Sequence, residues 1–237
     1  KQAAHVASVD VGFAIGPRLN AAGRLDDISQ GIALLLTDSF DLALEFAQSL
    51  DDLNRDRKVI EQQMQQEALA IVDGLESDID KPSLGLCLFH EDWHQGVVGL
   101  VASRLKDRFY RPVIAFAKAD DGISLKGSGR SIAGLHLRDL LDVIASQNPG
   151  LIDKFGGHAM AAGLSIEKTQ LAQFQTAFNK ALQQYQDSEI FNEHILVDGE
   201  LKAQDLNLYS AQLHIHCGFG DLCAVSGWIA GTRRPPA

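Results

Sequence analysis

Lys154-Phe155-Gly156-Gly157-His158-Ala159-Met160-Ala161-Ala162-Gly163 puts two adjacent glycines in front of a histidine and a run of very small residues. Glycine reaches positive φ without a Cβ clash, so consecutive amides of such a turn can point into one concavity. A helix starting at His158 would add its positive dipole end. The backbone of Gly156 and Gly157 and the imidazole of His158 then converge on an anion the size of a phosphate. Taken alone, the run also reads as a glycine cap or tight turn before a close-packed Ala/Gly segment. The neighbouring sequence has to decide.

Around this turn, apolar runs of strand length alternate with helical stripes. Leu84 to Phe89 reads as a strand, Val97 to Phe109 as a helix, and Val113 to Ala117 as a second strand, which predicts a parallel pair joined by a crossover. Ile123 to Ile132 reads as strand and loop, Leu135 to Ala145 as a helix, Leu164 to Ile166 as a strand and Leu171 to Gln186 as a covering helix. The expectation is a compact α/β domain from about residue 80 to 186. Upstream, from Asp38 or Ser39 as N-cap, a stripe of Leu42, Phe46, Leu50, Leu53, Ile60, Met64, Ala68, Ile71 and Leu75 predicts a helix of roughly 50 Å. Its middle, from Asp51 to Lys58, is polar almost all round, as a solvent-crossing connector would be. Val9 to Leu36, broken by Gly12, Gly16, Pro17 and Gly23, reads as loops and one short helix.

With 46% apolar residues the chain can bury a large core, and no apolar run is long enough to span a bilayer. Three scattered cysteines make no disulfide framework and favour a reducing, cytoplasmic setting. The net charge of −10 speaks against a general nucleic-acid coat. Locally it reverses: Arg104, Lys106, Arg108, Arg111, Lys118, Lys126, Arg130 and Arg138 face only Asp107, Asp120 and Asp121. The start at Lys1, with no initiator Met and no capping signal, reads as a cut from a longer chain.

Three more clusters suit an oxyanion. Gly16-Pro17-Arg18-Leu19-Asn20-Ala21-Ala22-Gly23-Arg24 combines two guanidinium groups with a small-residue backbone. Lys126-Gly127-Ser128-Gly129-Arg130-Ser131 sets two hydroxyls and an arginine among glycines, and Trp93-His94-Gln95-Gly96-Val97-Val98-Gly99 lies between a strand and a helix, where N–H groups are free. Each also reads as an ordinary loop, hairpin or helix start. The acidic pairs Asp26-Asp27, Asp51-Asp52 and Asp120-Asp121 point apart in any regular element and make no metal site. His214, His216, Cys217 and Cys223 match no common zinc spacing.

In this order, the Gly16–Asp27, Trp93–Gly99, Lys126–Ser131 and Phe155–Gly163 motifs resemble the RecJ family of single-strand-specific exonucleases, within the DHH phosphoesterase superfamily. The resemblance runs from about Val9 to Leu213. It implies the tail of a DHH catalytic domain at 1–37, a long interdomain helix at 38–76, a DHHA1 substrate-binding domain at 77–190 and the start of an OB-fold domain at 191–237. It also implies that Arg18, Asn20 and Arg24 stand near a 5′ end and that Ser128, Arg130 and Ser131 grip phosphate oxygens. Gly156, Gly157 and His158 would cradle the phosphate being processed, His158 beside the scissile bond, with His94 and Gln95 lining the cleft. Mn2+ or Mg2+ would serve the intact enzyme through ligands outside this sequence, so the chain alone would be inactive and would bind single-stranded DNA weakly. A monomer is implied, with a single-strand-binding protein and a helicase as partners. The sequence after Leu213, ending Arg-Arg-Pro-Pro-Ala, departs from the family pattern and reads as a frameshift or truncation. Two other readings share the glycine turn: a DHH-family oligoribonuclease or nucleotide phosphatase, and a non-catalytic DHHA1 module like that attached to alanyl-tRNA synthetase.

Overall fold

β1 (Leu86–Phe89) and β2 (Val113–Lys118) pair in parallel, Leu86 opposite Val113 and Phe89 opposite Phe116. Parallel neighbours need a long return, and α5 (Val98–Phe109) provides it. β3 (Ser124–Arg130) comes back antiparallel to β2, and α6 (Leu137–Gln147) leads to β4 (Lys154–Gly157). β5 (Ala161–Glu167) then inserts between β3 and β4, and α7 (Leu171–Leu182) follows. The sheet order is β1-β2-β3-β5-β4, a mixed sheet in the α/β class that the alternation predicted. The computed structural model describes residues 6–77, 83–193 and Asn207. The expected OB-fold start and the histidines and cysteines after Leu213 lie outside the described residues.

No helix starts at His158. Gly157, at φ +143°, turns the chain, the His158 N–H donates to the Ala161 carbonyl at 2.8 Å, and β4 and β5 form a hairpin. Alanine favours helix, but Ala161, Ala162 and Gly163 must carry the ladder between β3 and β4, and that pairing overrides propensity.

The period of two along each strand gives the sheet two unlike faces. Ile114, Phe116, Leu125, Leu164 and Ile166 pack with α6 and α7 into one apolar core, where the Phe174 ring meets Phe116 edge-on at 5.5 Å and stacks on Phe178 at 6.1 Å. Leu86, Leu88, Val113 and Ala115 face the other way, under α5 and under Met64, Ala68 and Val72 of α4 (Phe40–Ser77). β2 is therefore apolar at every position but its last, as a strand buried on both sides must be. Beyond β2 this second face loses its cover: Lys126, Lys154, Gly156 and Gly163 are exposed.

The segment before α4 is helical, not loop. α1 (Ser8–Asp10), a π-helical stretch over Val11–Ile15 and α2 (Gly16–Leu25) follow one another without a break, and α3 (Ser29–Leu36) comes next. Pro17 stands where the π-helical stretch gives way to α2, so its missing N–H falls at a change of helical register and not within a regular α-helical ladder. Ala21 and Ala22 are fully buried where α2 packs on α4. α4 starts as predicted, with the Ser39 hydroxyl accepting from the Leu42 N–H at 3.4 Å, and 38 residues make it about 57 Å long. Its middle does not cross solvent. Leu50 and Asn54 are buried, and Arg57 joins Asn54 at 3.0 Å and Glu61 at 2.6 Å. Glu61 also meets Arg104 of α5 at 3.3 Å, so polar residues here join helices. Residues up to Glu193 form one compact unit. Phe13, Leu35, Leu36 and Phe40 are exposed at 67% to 84%.

Candidate functional site

The loop between β1 and α5 is shaped by its own side chains. Trp93 is buried and its indole N–H donates to Glu67 of α4 at 2.9 Å, which pins the loop to the long helix. The His94 Nδ1 accepts from the Gly96 N–H at 3.1 Å, and the His94 carbonyl accepts from Val97 and Val98. With Nδ1 an acceptor, the neutral ring carries its proton on Nε2. Gly96 cannot be any larger residue, since a Cβ there would stand 2.0 Å from the carbonyl oxygen of Arg24. Backbone contact of that kind seats the last turn of α2 on the start of α5, and Arg24 Nη1 donates to the Gly96 carbonyl at 3.1 Å.

On the other side of the α5 start stand two side chains of β3. A Cβ on Gly99 would lie 2.9 Å from both the Arg130 Nη2 and the Ser128 Oγ, so glycine admits them against the helix. Arg130 donates to the Ser128 hydroxyl at 3.0 Å and to the Gly129 carbonyl at 2.8 Å. Burial, and then the neighbouring charge of Arg24, hold the Arg130 guanidinium below its usual range. Neither arginine has a carboxylate partner among the described residues. The Gly99 N–H, in the first turn of α5, has no backbone acceptor. Two like charges, a hydroxyl and a helix start facing one spot are an arrangement that an anion completes.

The other residues expected at a site fall in different places. Arg18 is on α2 and pairs with Asp51 of α4 at 2.7 Å, while its Nη1 donates to the Ala14 carbonyl at 2.6 Å. Asn20 is exposed on α2. Gln95 donates to both oxygens of Asp120 at 3.2 Å, which ties this loop to the β2–β3 turn. Ser131 is 1% exposed, its hydroxyl donating to the Leu135 carbonyl at 2.8 Å. The period of two accounts for that: Ser128 and Arg130 face α5, and Ser131 faces the other core. Gly156, Gly157 and His158 are exposed at the β4–β5 hairpin, and the His158 imidazole has no partner among the described residues. The motif reading missed Asp51, Asp120 and the Glu67–Trp93 anchor, because each carboxylate reads in sequence as one more surface charge. It quoted Gly99 only as the end of a motif.

The basic stretch from Arg104 to Arg138 also divides. Arg104 goes to Glu61, Lys106 to Asp107 and Lys118 to Glu91, whereas Lys126 stays on the open sheet face and Arg130 lies half-buried against α5. Among the described residues no three His, Cys, Asp or Glu side chains form a group that could hold a metal ion. No described helix is long and apolar enough to cross a membrane.

Residues 80–184 match the DHHA1 domain family, so the chain carries a DHHA1 domain. Its sequence resembles RecJ along nearly its whole length. It is 52% identical over 208 residues to the single-stranded-DNA-specific exonuclease RecJ of Salmonella typhimurium, covering 88% of this chain and 36% of that protein. The Escherichia coli RecJ is 51% identical over 213 residues, 90% of this chain and 37% of that protein. The crystal structure of Thermus thermophilus RecJ with Mg2+ superposes with a TM-score of 0.62 at 30% identity, covering 74% of this chain and 26% of that one. The chain thus spans little more than a third of the length of these curated relatives.

Proposed function

We propose that this chain is the substrate-holding part of a metal-dependent exonuclease that degrades single-stranded DNA from the 5′ end, and that the Arg24–Arg130–Ser128 site grips a phosphate of that strand. The observation that carries it is the convergence of two unneutralised guanidinium groups at the start of α5. The RecJ relatives, each named a single-stranded-DNA-specific exonuclease, supply the class of substrate. His158, exposed and unpartnered at the hairpin tip, is assigned to support the scissile phosphate, with the Gly156–Gly157 backbone beside it. His94 and Gln95 are assigned to line the same cleft. Arg18 and Ser131 hold the fold around the site. Related RecJ structures contain Mg2+ or Mn2+. The described residues do not fit such an ion, because they bring no ligand group together, so no hydrolytic step is assigned to them. In this reading the apolar side chains exposed on α3 and around the start of α4 meet the metal-bearing lobe of a longer protein. The reading carries with it the four-part division at 37, 76 and 190, a cytoplasmic monomer, a role in DNA repair and recombination, and a single-strand-binding protein and a helicase as partners.

Arg130→Ala and Arg24→Ala test the site. Removing a charge-assisted contact of roughly 1.5–3 kcal/mol lowers affinity for 5′-phosphorylated oligothymidylate by about 10- to 100-fold in fluorescence anisotropy at low salt. Undiminished binding by both variants would remove the site from the reading.

A further inference from the structure

The hairpin tip between β4 and β5 carries His158, and two carbonyls of this tip are held from outside the hairpin. The Leu137 N–H donates to the Ala159 carbonyl at 2.9 Å, and the Ser131 N–H donates to the Met160 carbonyl at 3.0 Å. Leu137 is the first residue of α6, so its N–H is one of those that a helix leaves without an internal acceptor. The tip takes that spare donor as its support. Leu137 is itself fixed: its side chain is buried and so close to β3 that a Cβ on Gly129 would stand 2.6 Å from it.

The start of α6 is set by His136. It is the N-cap, with extended backbone, and its Nδ1 accepts from the Asp139 N–H at 3.2 Å. Asparagine, aspartate, serine and threonine are the usual caps, and they accept at any pH at which the protein is folded and their oxygens are free. A histidine caps only while its Nδ1 carries no proton. The Asp139 carboxylate stands 3.2 Å from that same nitrogen. A protonated ring therefore donates to the carboxylate and leaves the Asp139 N–H bare, so the cap is exchanged for an ion pair. The other charged or titratable groups on the elements that meet here are Arg138 and Asp142 on α6, Arg130 at the end of β3, His158 on the tip, and Glu189 beside the Ile190 that packs over Gly134. Among the described residues His136 is paired with Asp139 and with none of these.

We infer that His136 is a positioning residue for the Gly157–His158 tip: its neutral imidazole holds the first turn of α6, and a backbone N–H of that turn holds the tip. The inference rests on the reading of His158 as a support for the scissile phosphate and adds a residue that acts on it through the backbone. Its consequence is that the placement of the tip follows the protonation of a side chain on another element.

Amide hydrogen exchange of the whole chain tests the link, read residue by residue by NMR and corrected for the intrinsic rate at each pH. It compares wild type with His136→Ala, which removes the cap, and His136→Asn, which keeps a cap that does not titrate. At about pH 8 the Leu137, Ser131 and His158 amides exchange about fivefold faster in His136→Ala and return to the wild-type rate in His136→Asn. On going to about pH 5 the same amides lose protection in wild type and keep it in His136→Asn. The Ser131 and His158 amides decide the matter, because both lie outside the helix and bond to the hairpin. A cap that serves α6 alone moves the Asp139 amide and leaves these two unchanged, which overturns the inference. Loss of protection at low pH that is equal in wild type and His136→Asn overturns it as well. Oligothymidylate then separates this inference from the reading beneath it, since bound strand raises the protection of the Ser131 and His158 amides in wild type. Linked exchange without that rise upholds the positioning by His136 and overturns the phosphate role of His158.

Discussion

On the sheet face covered by α6 and α7, Gly127 and Gly129 are glycine because Phe116, Leu164 and Leu137 fill the space a side chain would need. On the opposite face Gly156 and Gly163 look onto open space. Each strand glycine carries the same conformational penalty, roughly 0.5–1 kcal/mol relative to alanine. In the first pair apolar packing offsets it, whereas in the second nothing in the chain does. One sheet thus has a face whose glycines its own packing explains and a face whose glycines it does not, and, on the proposed function, substitutions on the two faces should separate stability from binding.

The largest effect belongs to the packed face. Phe174 is fully buried between Phe116 and Phe178, and Phe174→Ala should lower unfolding free energy by about 3–5 kcal/mol in urea titration. The fraction still folded should bind oligothymidylate as wild type does; an affinity that falls with stability would show that the faces are not independent. Next comes Gly127→Ala, whose methyl would stand 2.5 Å from the Phe116 ring and 2.7 Å from Leu164. Overpacking of this kind costs about 1–3 kcal/mol, against no loss for the same change at Gly163. Equal effects at the two glycines would break the comparison.

The packed face was the more legible of the two in sequence. The apolar runs at Leu84–Phe89 and Val113–Ala117 and the stripe of Leu137, Leu140, Leu141 and Ile144 announce strands and a helix by period alone, and they form at nearly those bounds. The hairpin at Gly157 was not legible, because Ala159 to Ala162 favour helix locally and only pairing with β3 decides otherwise. The same holds for Gly16 to Arg24: two glycines and a proline suggest a loop until Ala21 and Ala22 are seen buried against α4. The site was legible as motifs and illegible as geometry. Arg18 and Arg24 stand six apart in one motif, yet Asp51 neutralises the first and nothing neutralises the second among the described residues. A carboxylate 33 residues away settles which arginine is free, and no local pattern carries that information. Alternation along Lys126, Ser128 and Arg130 does place all three on one face, and that signal would have excluded Ser131.

The smallest effect concerns pH, and it too should divide the molecule. Among the described residues the buried polar ones are Asn54 and Ser131, so no carboxylate lies inside either core. The site side depends instead on Glu67, which receives the Trp93 indole N–H and so fixes the β1–α5 loop. A hydrogen bond from Gln63 is the largest influence on the Glu67 carboxyl and burial, the next, opposes it; the Trp93 hydrogen bond and the nearby charge of His90 side with Gln63, so the carboxyl lies below its ordinary 4.5. A carboxyl whose folded pKa is depressed contributes stability that is fully present above the unfolded value and disappears as pH falls through the folded one. Wild type should therefore melt above Glu67→Gln at about pH 6, and the gap should narrow as pH falls below about 4.5 and close as it passes the lower folded pKa. The gap stays small because the carboxylate is partly exposed and solvent screens it. Melting curves of the two proteins across that range decide the matter. A gap that persists at low pH would mean that the anchor is a matter of shape, and that charge on the site side serves the ligand alone.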